Sequence, residues 1–348
     1  MSTAAGLPLP SLSRGRFAYA FGSFLLEKGL SSMAPLGGEF CADGGVCEAL
    51  VGEALPCSGL ESEPHAGAVP MHSDGDTSSG LLCAYTDQAL FEACGVRIAF
   101  TERSGGCSEA PFDSLNLKFG VGDSESAVGR NQAALISAFG IGSNPLIVPN
   151  QVHGSTVVEV PSVREYETAR RAAASEAGCD AVAVAEGGVP VLLCFADCLP
   201  LILVAPGGAF AVVHCGWRST VAHLAAKAFE RLVAMSGCSP DQVNAYIGPY
   251  IHAECFEVRT EVAERFVDEF GHGVVRGGEP HLRWQVDLGA AVRADLVRCG
   301  CALERIADVG ICTVCTTDRF FSYRAAGGVT GRHGAFAVRA DGAVLEYE

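Results

Sequence analysis

The 348-residue sequence lacks a run of roughly 18 or more apolar residues that is free of charges and of proline or glycine clusters. A helix needs about 20 predominantly apolar residues to cross a lipid bilayer. The hydrophobic share of 49% and the mean hydropathy of +0.27 therefore indicate a large core. We expect no membrane partner.

Basic residues are also scarce, with 24 lysines and arginines against 40 aspartates and glutamates. The formal net charge is −16. A nucleic-acid-binding protein needs a concentrated surface of lysine and arginine to neutralise phosphate groups. The composition therefore disfavours nucleic acid as a partner.

A convincing small-x-small cleavage site is missing after the apolar segment at residues 17–26, where a secretory signal peptide would carry one. We interpret this segment as a short amphipathic helix. Sixteen cysteines are scattered through apolar runs of a long chain, as Cys194 is, and this distribution suits reduced thiols. The sequence therefore predicts a cytoplasmic protein.

The chain changes character near residue 95. Residues 29–80 are rich in glycine, serine, proline and acidic side chains and have little periodicity, which predicts low order. We therefore predict an accessory extension over residues 1–85. From residue 95 onward, apolar β-branched runs alternate with helical stretches, which predicts one main mixed α/β domain over residues 95–345.

Four consecutive apolar runs, separated by glycine, proline and aspartate, predict β-strands in the middle of this domain. They read DAVAVAEG, VPVLLCFAD, PLILVAPGG and AFAVVHCG. Helical spacing predicts helices over residues 127–140 and 220–237, the second ending at Gly237. Residues 145–160 predict a strand, a turn and a second strand.

A histidine, a cysteine and a second histidine each lie at a predicted strand end close to a turn residue. They are His153, Cys198 and His214, near Gly154, Pro200 and Gly216. Each residue alone is more typical of a packed core or loop. Together, two neutral imidazoles and one thiolate suit zinc and leave its fourth coordination position open. An open position is typical of catalytic zinc, which lowers the pKa of bound water to about 7.

Six motifs in the main domain resemble those of the YfiH family. They are NQVHGSTVVEV, CDAVAV, FADCLPLILVA, VVHCGWRS, IGPYIHAECFEV and FFSYRAAGGVTGRHGAFAV. Residues 101–135 resemble the amino-terminal block of the same family, so the resemblance covers about residues 95–340. The family was long labelled multicopper polyphenol oxidase or laccase domain and is now regarded as purine nucleoside phosphorylases with adenosine deaminase activity.

The resemblance implies an α/β sandwich, that is a mixed α+β sandwich related to a toxin-type cysteine hydrolase fold, in a single main domain. It also implies that zinc binds His153, Cys198 and His214, which would form the catalytic centre. The expected reactions are phosphorolysis of adenosine, inosine, guanosine and methylthioadenosine, and deamination of adenosine. The expected partners are therefore small purine nucleosides and phosphate.

Substrate binding requires further polar side chains around such a centre. An arginine fork suits an anionic group, so Arg103, Arg218 and Arg324 are candidates. Asn116 is a candidate for holding the base or the ribose. Gln151 is another, because it lies two residues before the first expected ligand and hence on the same strand face.

Other functions remain open. Cys198 as nucleophile with His214 as base would make a thiol hydrolase, for example an amidase that edits peptidoglycan precursors. A fourth ligand, Cys194 or Cys215, would close a structural zinc module, although strand alternation predicts that Cys215 points away from His214. A copper polyphenol oxidase follows from the older family label, but nine histidines without an H-x-H pair are few for a multicopper site.

A second pattern imitates the zinc signature of classical nucleoside deaminases. HAE occupies residues 252–254 and CTVC occupies residues 312–315. Ile311 replaces the proline of that signature, and sixty residues separate His252 from Cys312, so we do not assign a deaminase site here. A redox pair of Cys312 and Cys315 is a further interpretation, but a C-x-x-C motif is weakly specific.

Overall fold

The structure is a computed structural model that describes residues 6–20, 79–139, 144–277 and 283–340. The strands in these ranges are β1 Ser13–Ala20, β2 Ser79–Thr86, β3 Val96–Thr101, β4 Val157–Val160, β5 Ala181–Val184, β6 Val191–Phe195, β7 Leu199–Val204, β8 Phe210–Cys215, β9 Asn244–Ile247, β10 Glu257–Val258, β11 Val275–Arg276, β12 Trp284–Val286, β13 Ile306–Asp308 and β14 His333–Arg339. The α-helices are α1 Gln88–Cys94, α2 Glu125–Phe139, α3 Tyr166–Ala173, α4 Trp217–Val221, α5 Leu224–Ser236, α6 Thr260–Phe270 and α7 Leu288–Arg298. None of the helices in these ranges combines the length and the apolar character needed to span a bilayer.

Two large sheets and one small sheet organise these strands. One large sheet has the order β1-β2-β3-β14-β6, and all its neighbours are antiparallel. The other has the order β13-β9-β7-β8-β5-β4, in which β13–β9 and β5–β4 are parallel pairs. The small sheet has the order β10-β12-β11.

The two large sheets pack face to face. The core between them includes Phe100 of β3, Leu193 of β6 and Ile202 of β7, all fully buried. Successive residues of a strand point to opposite faces, so Leu192 and Leu201 lie on the outer faces of their sheets. This alternation gives each sheet two apolar faces, and each outer face needs its own cover.

Helices cover both outer faces. Phe139 of α2 packs in the cluster on the outer face of the five-stranded sheet. Phe229 of α5 and Val292 of α7 pack in the cluster on the outer face of the six-stranded sheet. The described residues therefore form an α/β sandwich, as the family resemblance implies, with a helical layer outside each large sheet.

The predicted elements in the middle of the domain are confirmed, with two differences. Strands β5 to β8 are the four predicted apolar runs, and α2 is the predicted helix near residues 127–140. The predicted helix over residues 220–237 is two helices, because His223 adopts a left-handed backbone with φ of 55°. The first predicted strand in residues 145–160 is reduced to a single bridge between Ile147 and Val191.

The break at His223 has a clear cause in its side chain. Its Nδ1 lies 2.9 Å from Asp295 and its Nε2 lies 2.9 Å from Glu269. These two bonds hold the ring between α6 and α7 and support the uncommon backbone conformation. The second helix then ends, as predicted, at Gly237, whose φ is 66°.

The prediction of a helix at residues 17–26 is wrong for the part that the structure describes. Residues 13–20 form β1, in which Phe17 is buried and its neighbour Arg16 is exposed. This period-two alternation fits a strand with one buried face. Residues 21–26 lie outside the described residues.

The predicted accessory extension contributes to the main sheet where it is described. Strands β1 and β2 pair with each other, and β2 pairs with β3. Arg14 of β1 also donates two hydrogen bonds to Glu102, at 2.6 and 2.9 Å. The expected low order of residues 29–80 falls almost entirely outside the described residues.

Candidate metal centre

An antiparallel hairpin brings two of the expected ligands together. In the β7–β8 pair, Leu199 faces Cys215 and Pro200 faces His214. Cys198, immediately before β7, therefore lies beside the end of β8. His214 is 4% exposed, whereas Cys215 packs in the helix-side cluster on the opposite face. The prediction that these two neighbours point in opposite directions is confirmed.

The third expected ligand lies on a loop that Asp180 holds in place. The backbone N–H groups of Val152, His153 and Gly154 donate to the Asp180 carboxylate, at 3.2, 3.0 and 2.7 Å. His153 has a φ of 59°, an uncommon conformation that these three bonds support. Asp180 comes just before β5, so the core sheet positions the loop.

The three side chains form one compact group. The ligand atoms of His153, Cys198 and His214 all lie within 4.8 Å of one another, and the two imidazole rings are 4.8 Å apart between centroids. A Cβ at Gly216 would lie 2.7 Å from His153 Nδ1 and 3.1 Å from Cys198 Sγ. Only glycine therefore leaves room for this arrangement beside the β8–α4 turn.

The electrostatics of the group favour a thiolate. Burial disfavours ionisation of Cys198, but His214 and His153 outweigh it and lower the pKa of the thiol to about 6. Burial also disfavours the His214 imidazolium, but Cys198 and Asp180 raise the pKa of His214 to about 9. Both shifts favour a thiolate on Cys198 beside an imidazolium on His214.

Asp180 also orients His214. Its Oδ1 lies 2.7 Å from His214 Nδ1, and its backbone carbonyl accepts a bond from His214 N at 2.7 Å. Burial alone would raise the pKa of Asp180, but His214 and the loop N–H groups lower it below its ordinary value. A carboxylate on Nδ1 leaves Nε2 available to bind a metal ion or to accept a proton.

The donor set fits a metal ion with an open coordination position. Two imidazoles and one thiolate match zinc chemistry, and the exposed His153 leaves one side accessible. In the described part of the chain, no fourth histidine, cysteine, aspartate or glutamate joins the group. Cys194 and Cys215, the two residues considered for closing the site, pack in the clusters on the outer faces of the two sheets.

Comparison with known proteins decides the family. Residues 97–340 match the family described as multi-copper polyphenol oxidoreductase laccase. The chain belongs to this family. It is 37% identical over 240 residues to a protein of Xylella fastidiosa strain Temecula1 named purine nucleoside phosphorylase, covering 66% of this chain and 87% of that protein.

Two further proteins are similar to this laccase-family chain. One, from an unknown prokaryotic organism, is named adenosine deaminase RL5 and is 33% identical over 246 residues, which cover 68% of this chain and 92% of that protein. The crystal structure of YlmD from Geobacillus stearothermophilus superposes with a TM-score of 0.64 and 29% identity. That superposition covers 71% of this chain and 93% of the YlmD chain.

The three arginines expected to bind substrate lie in different surroundings. Arg103 donates to the carbonyl oxygens of Asp113 and Thr317, at 2.7 and 2.8 Å. Arg324 donates to the carbonyl oxygens of Cys255 and Glu257, at 3.1 and 3.2 Å. Arg218 is exposed, lies over the Trp217 ring, and lines a groove of about 380 Å³ with residues of α4 and α6.

The two expected amide side chains are used within the fold. Asn116 is fully buried; it donates to Asp123 at 2.8 Å and accepts from Arg332 N at 2.9 Å. Gln151 donates to the Cys194 carbonyl at 2.9 Å and accepts from the Cys194 N–H at 3.0 Å. Asn116 therefore links two loops, and Gln151 ties its loop to β6. A direct contact of either side chain with substrate stays a prediction.

Sequence reasoning missed two cations near the centre. Burial lowers the pKa of the Arg332 guanidinium, and the sulfurs of Cys194 and Cys198 partly offset this shift. Lys118 Nζ lies 3.5 Å from Gln151 Oε1. Leu117 N donates to the Arg332 carbonyl at 3.0 Å, which makes the two segments neighbours. The GRHG and NLK stretches carry no signal that reveals this proximity.

Proposed function

We propose that the chain is a cytoplasmic, zinc-dependent purine nucleoside phosphorylase that also deaminates adenosine. Its substrates would be adenosine, inosine, guanosine and methylthioadenosine. The observation that carries the proposal is the group of His153, Cys198 and His214, which is open on the side of the exposed His153. The names of the relatives, purine nucleoside phosphorylase and adenosine deaminase, support the same substrate class.

The roles of the residues follow from their contacts. His153, Cys198 and His214 would hold zinc, which supplies Lewis acidity at an open coordination position. Asp180 keeps His214 in the tautomer that exposes Nε2 and keeps His153 on its loop. Gly216 leaves room for both side chains.

Phosphorolysis also needs an anion site. In that reaction a phosphate oxygen bonds to ribose C1′, the bond from C1′ to the purine nitrogen breaks, and the base leaves with that electron pair and takes up a proton. We assign Arg332 and Lys118 to the phosphate, because Lys118 lies 3.5 Å from Gln151, two residues before His153, and its segment pairs with Arg332 through Leu117 N. Deamination needs water in place of phosphate, since water replaces the C6 amino group and ammonia leaves.

The metal ligands can be tested with single substitutions. His153→Ala and Cys198→Ala should each reduce phosphate-dependent release of hypoxanthine from inosine by at least about 100-fold, because loss of a ligand exceeds the effect of losing a residue behind it. The measurement is product formation with and without phosphate, alongside zinc content. His272→Ala and Cys238→Ala are matched controls outside the group. Unchanged hypoxanthine release in the ligand variants would refute the proposal.

The phosphate site makes a separate prediction. Arg332→Gln should raise the KM for phosphate by about tenfold or more and leave zinc content unchanged, because it removes a charge that orients the anion. Initial rates at varied phosphate measure this effect. Arg171→Gln, whose side chain is 81% exposed on α3, is the control. An unchanged KM for phosphate in Arg332→Gln would assign phosphate to another arginine.

A thiol hydrolase is the second candidate, and one observation favours it. Cys198, His214 and Asp180 form a Cys–His–Asp arrangement, with 2.7 Å between Asp180 Oδ1 and His214 Nδ1. The specific activity proposed for this second candidate is an amidase that acts on peptidoglycan precursors. Activity in metal-free protein that alkylation abolishes would favour this candidate, whereas loss of activity on chelation favours zinc. Measuring the metal content of the purified protein also tests whether it binds copper, as the description of the family suggests.

A further inference from the structure

Two turns whose cysteines take no part in the centre described above meet at one edge of the six-stranded sheet. The parallel strands β9 and β13 end at the same edge, and a parallel bridge between Tyr250 and Cys312 extends their pairing. Cys255 lies in the turn after β9, and Cys312 and Cys315 lie in the turn after β13. The parallel register therefore brings together cysteines that are far apart in sequence.

These cysteines form a second compact group. The sulfurs of Cys255, Cys312 and Cys315 lie within 4.8 Å of one another, and Cys255 Sγ is 3.5 Å from Cys315 Sγ. All three are free thiols. Cys312 is buried and Cys315 is exposed, so the group is anchored in the fold and open on one side. This cluster of thiols has no part in the proposed nucleoside reaction.

Backbone amides prepare Cys312 to carry negative charge. The His252 N–H donates to Cys312 Sγ at 3.4 Å, and the N–H groups of Val314 and Cys315 also bond to this sulfur. The last two donors belong to the C-x-x-C turn itself. Amide bonds to sulfur stabilise thiolates that bind metal ions, and C-x₂-C is the usual spacing of zinc-binding turns.

We propose that Cys255, Cys312 and Cys315 bind a thiophilic d10 cation, in the first instance Zn²⁺, as a second metal site. Three thiolates select soft or borderline metal ions over Mg²⁺ and Ca²⁺. Water on the exposed Cys315 side completes the tetrahedron. Binding releases the thiol protons to solvent and changes no oxidation state.

The alternative, a disulfide between Cys255 and Cys315, explains less of the arrangement. It would use two sulfurs and leave Cys312 out, although Cys312 is the sulfur that the amides surround. A metal ion uses all three sulfurs and the charge that those amides stabilise.

The second site would hold the segment that supports Cys198. Thr313, inside the C-x-x-C turn, donates to Asp197 Oδ1 at 2.7 Å. Arg324 N donates to Asp197 Oδ2 at 2.7 Å, and the Arg324 side chain bonds the Cys255 carbonyl at 3.1 Å. Asp197 immediately precedes Cys198. A metal ion on the three cysteines would therefore fix the C-x-x-C turn that bonds Asp197 and the Cys255 carbonyl that holds Arg324, which makes the site a positioning site.

The test uses the full chain in a Cys198→Ser background, which removes the thiolate of the first centre. Cd²⁺ titration should produce a thiolate-to-cadmium charge-transfer absorption, and Zn²⁺ should abolish it by competition. Cys315→Ser, chosen because Cys315 is exposed, and Cys312→Ser should each reduce this absorption by a third or more. Cys238→Ser, another partly exposed cysteine outside both groups, should leave it unchanged.

Zinc content separates this proposal from the proposed function. Cys312→Ser/Cys315→Ser should lose one zinc per chain relative to Cys238→Ser, whereas His153→Ala should retain that zinc even if the first centre proves to bind none. Circular dichroism of each variant confirms that it is folded. Equal zinc content and equal cadmium absorption in the double variant and the Cys238→Ser control would overturn the proposal. A Cys255–Cys315 disulfide in freshly purified, zinc-free protein would also overturn it.

Discussion

At the scale of single residues, Asp180 connects more of the centre than any expected ligand does. Its carboxylate accepts three backbone N–H bonds from the His153 loop and contacts His214 Nδ1, while its own side chain is fully buried. A buried carboxylate in this position fixes two of the expected ligands with one side chain. The motif CDAVAV contains this residue, but its type and position alone do not reveal its partners.

Asp180→Asn should therefore weaken zinc binding by about 10- to 100-fold, as substitution of a residue behind a metal ligand usually does. An amide cannot accept all of these bonds, and its NH₂ group faces N–H donors. Competition with a chromophoric chelator measures the affinity. Asp87→Asn is the matched control, because Asp87 is also buried and accepts a backbone bond, from Leu90 N at 3.0 Å.

The control should lose stability and keep its zinc affinity, because Asp87 caps α1 and does not contact the centre. Equal zinc affinities for Asp180→Asn and wild type would show that the bond between Asp180 and His214 does not affect metal binding.

At the scale of elements, the turn from β8 into α4 determines whether the expected ligands fit together. Gly216 follows the end of β8, and His153 and Cys198 occupy the space that a side chain would need. A strand, a turn and a loop from three parts of the chain therefore meet at one glycine. The fit depends on backbone placement, which residue preferences do not specify.

Gly216→Ala should reduce zinc affinity and phosphorolysis by about tenfold or more. The added methyl group would overlap His153 and Cys198, and the shifts that remove such an overlap usually cost about 1–3 kcal/mol. The measurements are chelator competition and inosine cleavage. Gly129→Ala in α2 is the control, since nothing lies within 4 Å of its added methyl group. That control should keep wild-type zinc affinity and gain about 0.5–1 kcal/mol in free energy of unfolding.

A Gly216→Ala protein with wild-type zinc affinity would mean that the ligands can shift without loss, and that the close packing at this turn is unimportant for binding.

At the scale of the whole molecule, Glu102 connects strand β1 to the segment between β13 and β14. Arg14 of β1 donates to it at 2.6 Å, and Arg319 Nε donates to it at 3.1 Å. Burial alone would raise the pKa of Glu102, but the two arginines lower it below its ordinary value. The carboxylate, which is 2% exposed, therefore contributes stability in its ionised form.

Glu102→Gln should lower the free energy of unfolding at neutral pH by on the order of 2 kcal/mol, because two cations lose a buried charged acceptor. A depressed pKa contributes stability above the unfolded-state value, and this contribution is lost as the pH falls through the folded-state value. The difference between wild type and variant should therefore shrink below about pH 4. Urea unfolding across this pH range measures it.

Glu167→Gln is the control, because Glu167 forms an exposed pair with Arg170 on α3. Such a pair contributes little, so this variant should match wild type at every pH. A wild-type advantage over Glu102→Gln that does not change with pH would contradict the assigned role of the Glu102 charge.

The sequence by itself determined the four central strands, the covering helices α2 and α5, and which residue types end those strands, whereas α7 was not predicted. Alternation and turn residues are local, so DAVAVAEG and AFAVVHCG predict strands without knowledge of their partners. The hairpin that joins Cys198 to His214 could also be predicted from the sequence, because a short turn connects two adjacent strands.

Only the tertiary structure decided which distant groups meet. Asp180 is 34 residues from His214, and Cys255 is 60 residues from Cys315, and both contacts depend on sheet order and register. The strand at residues 13–20 depends on pairing with β2, which overrides the helical interpretation of its apolar pattern. Local preferences act over a few residues, whereas contacts across sheets are set by the packing of the whole core.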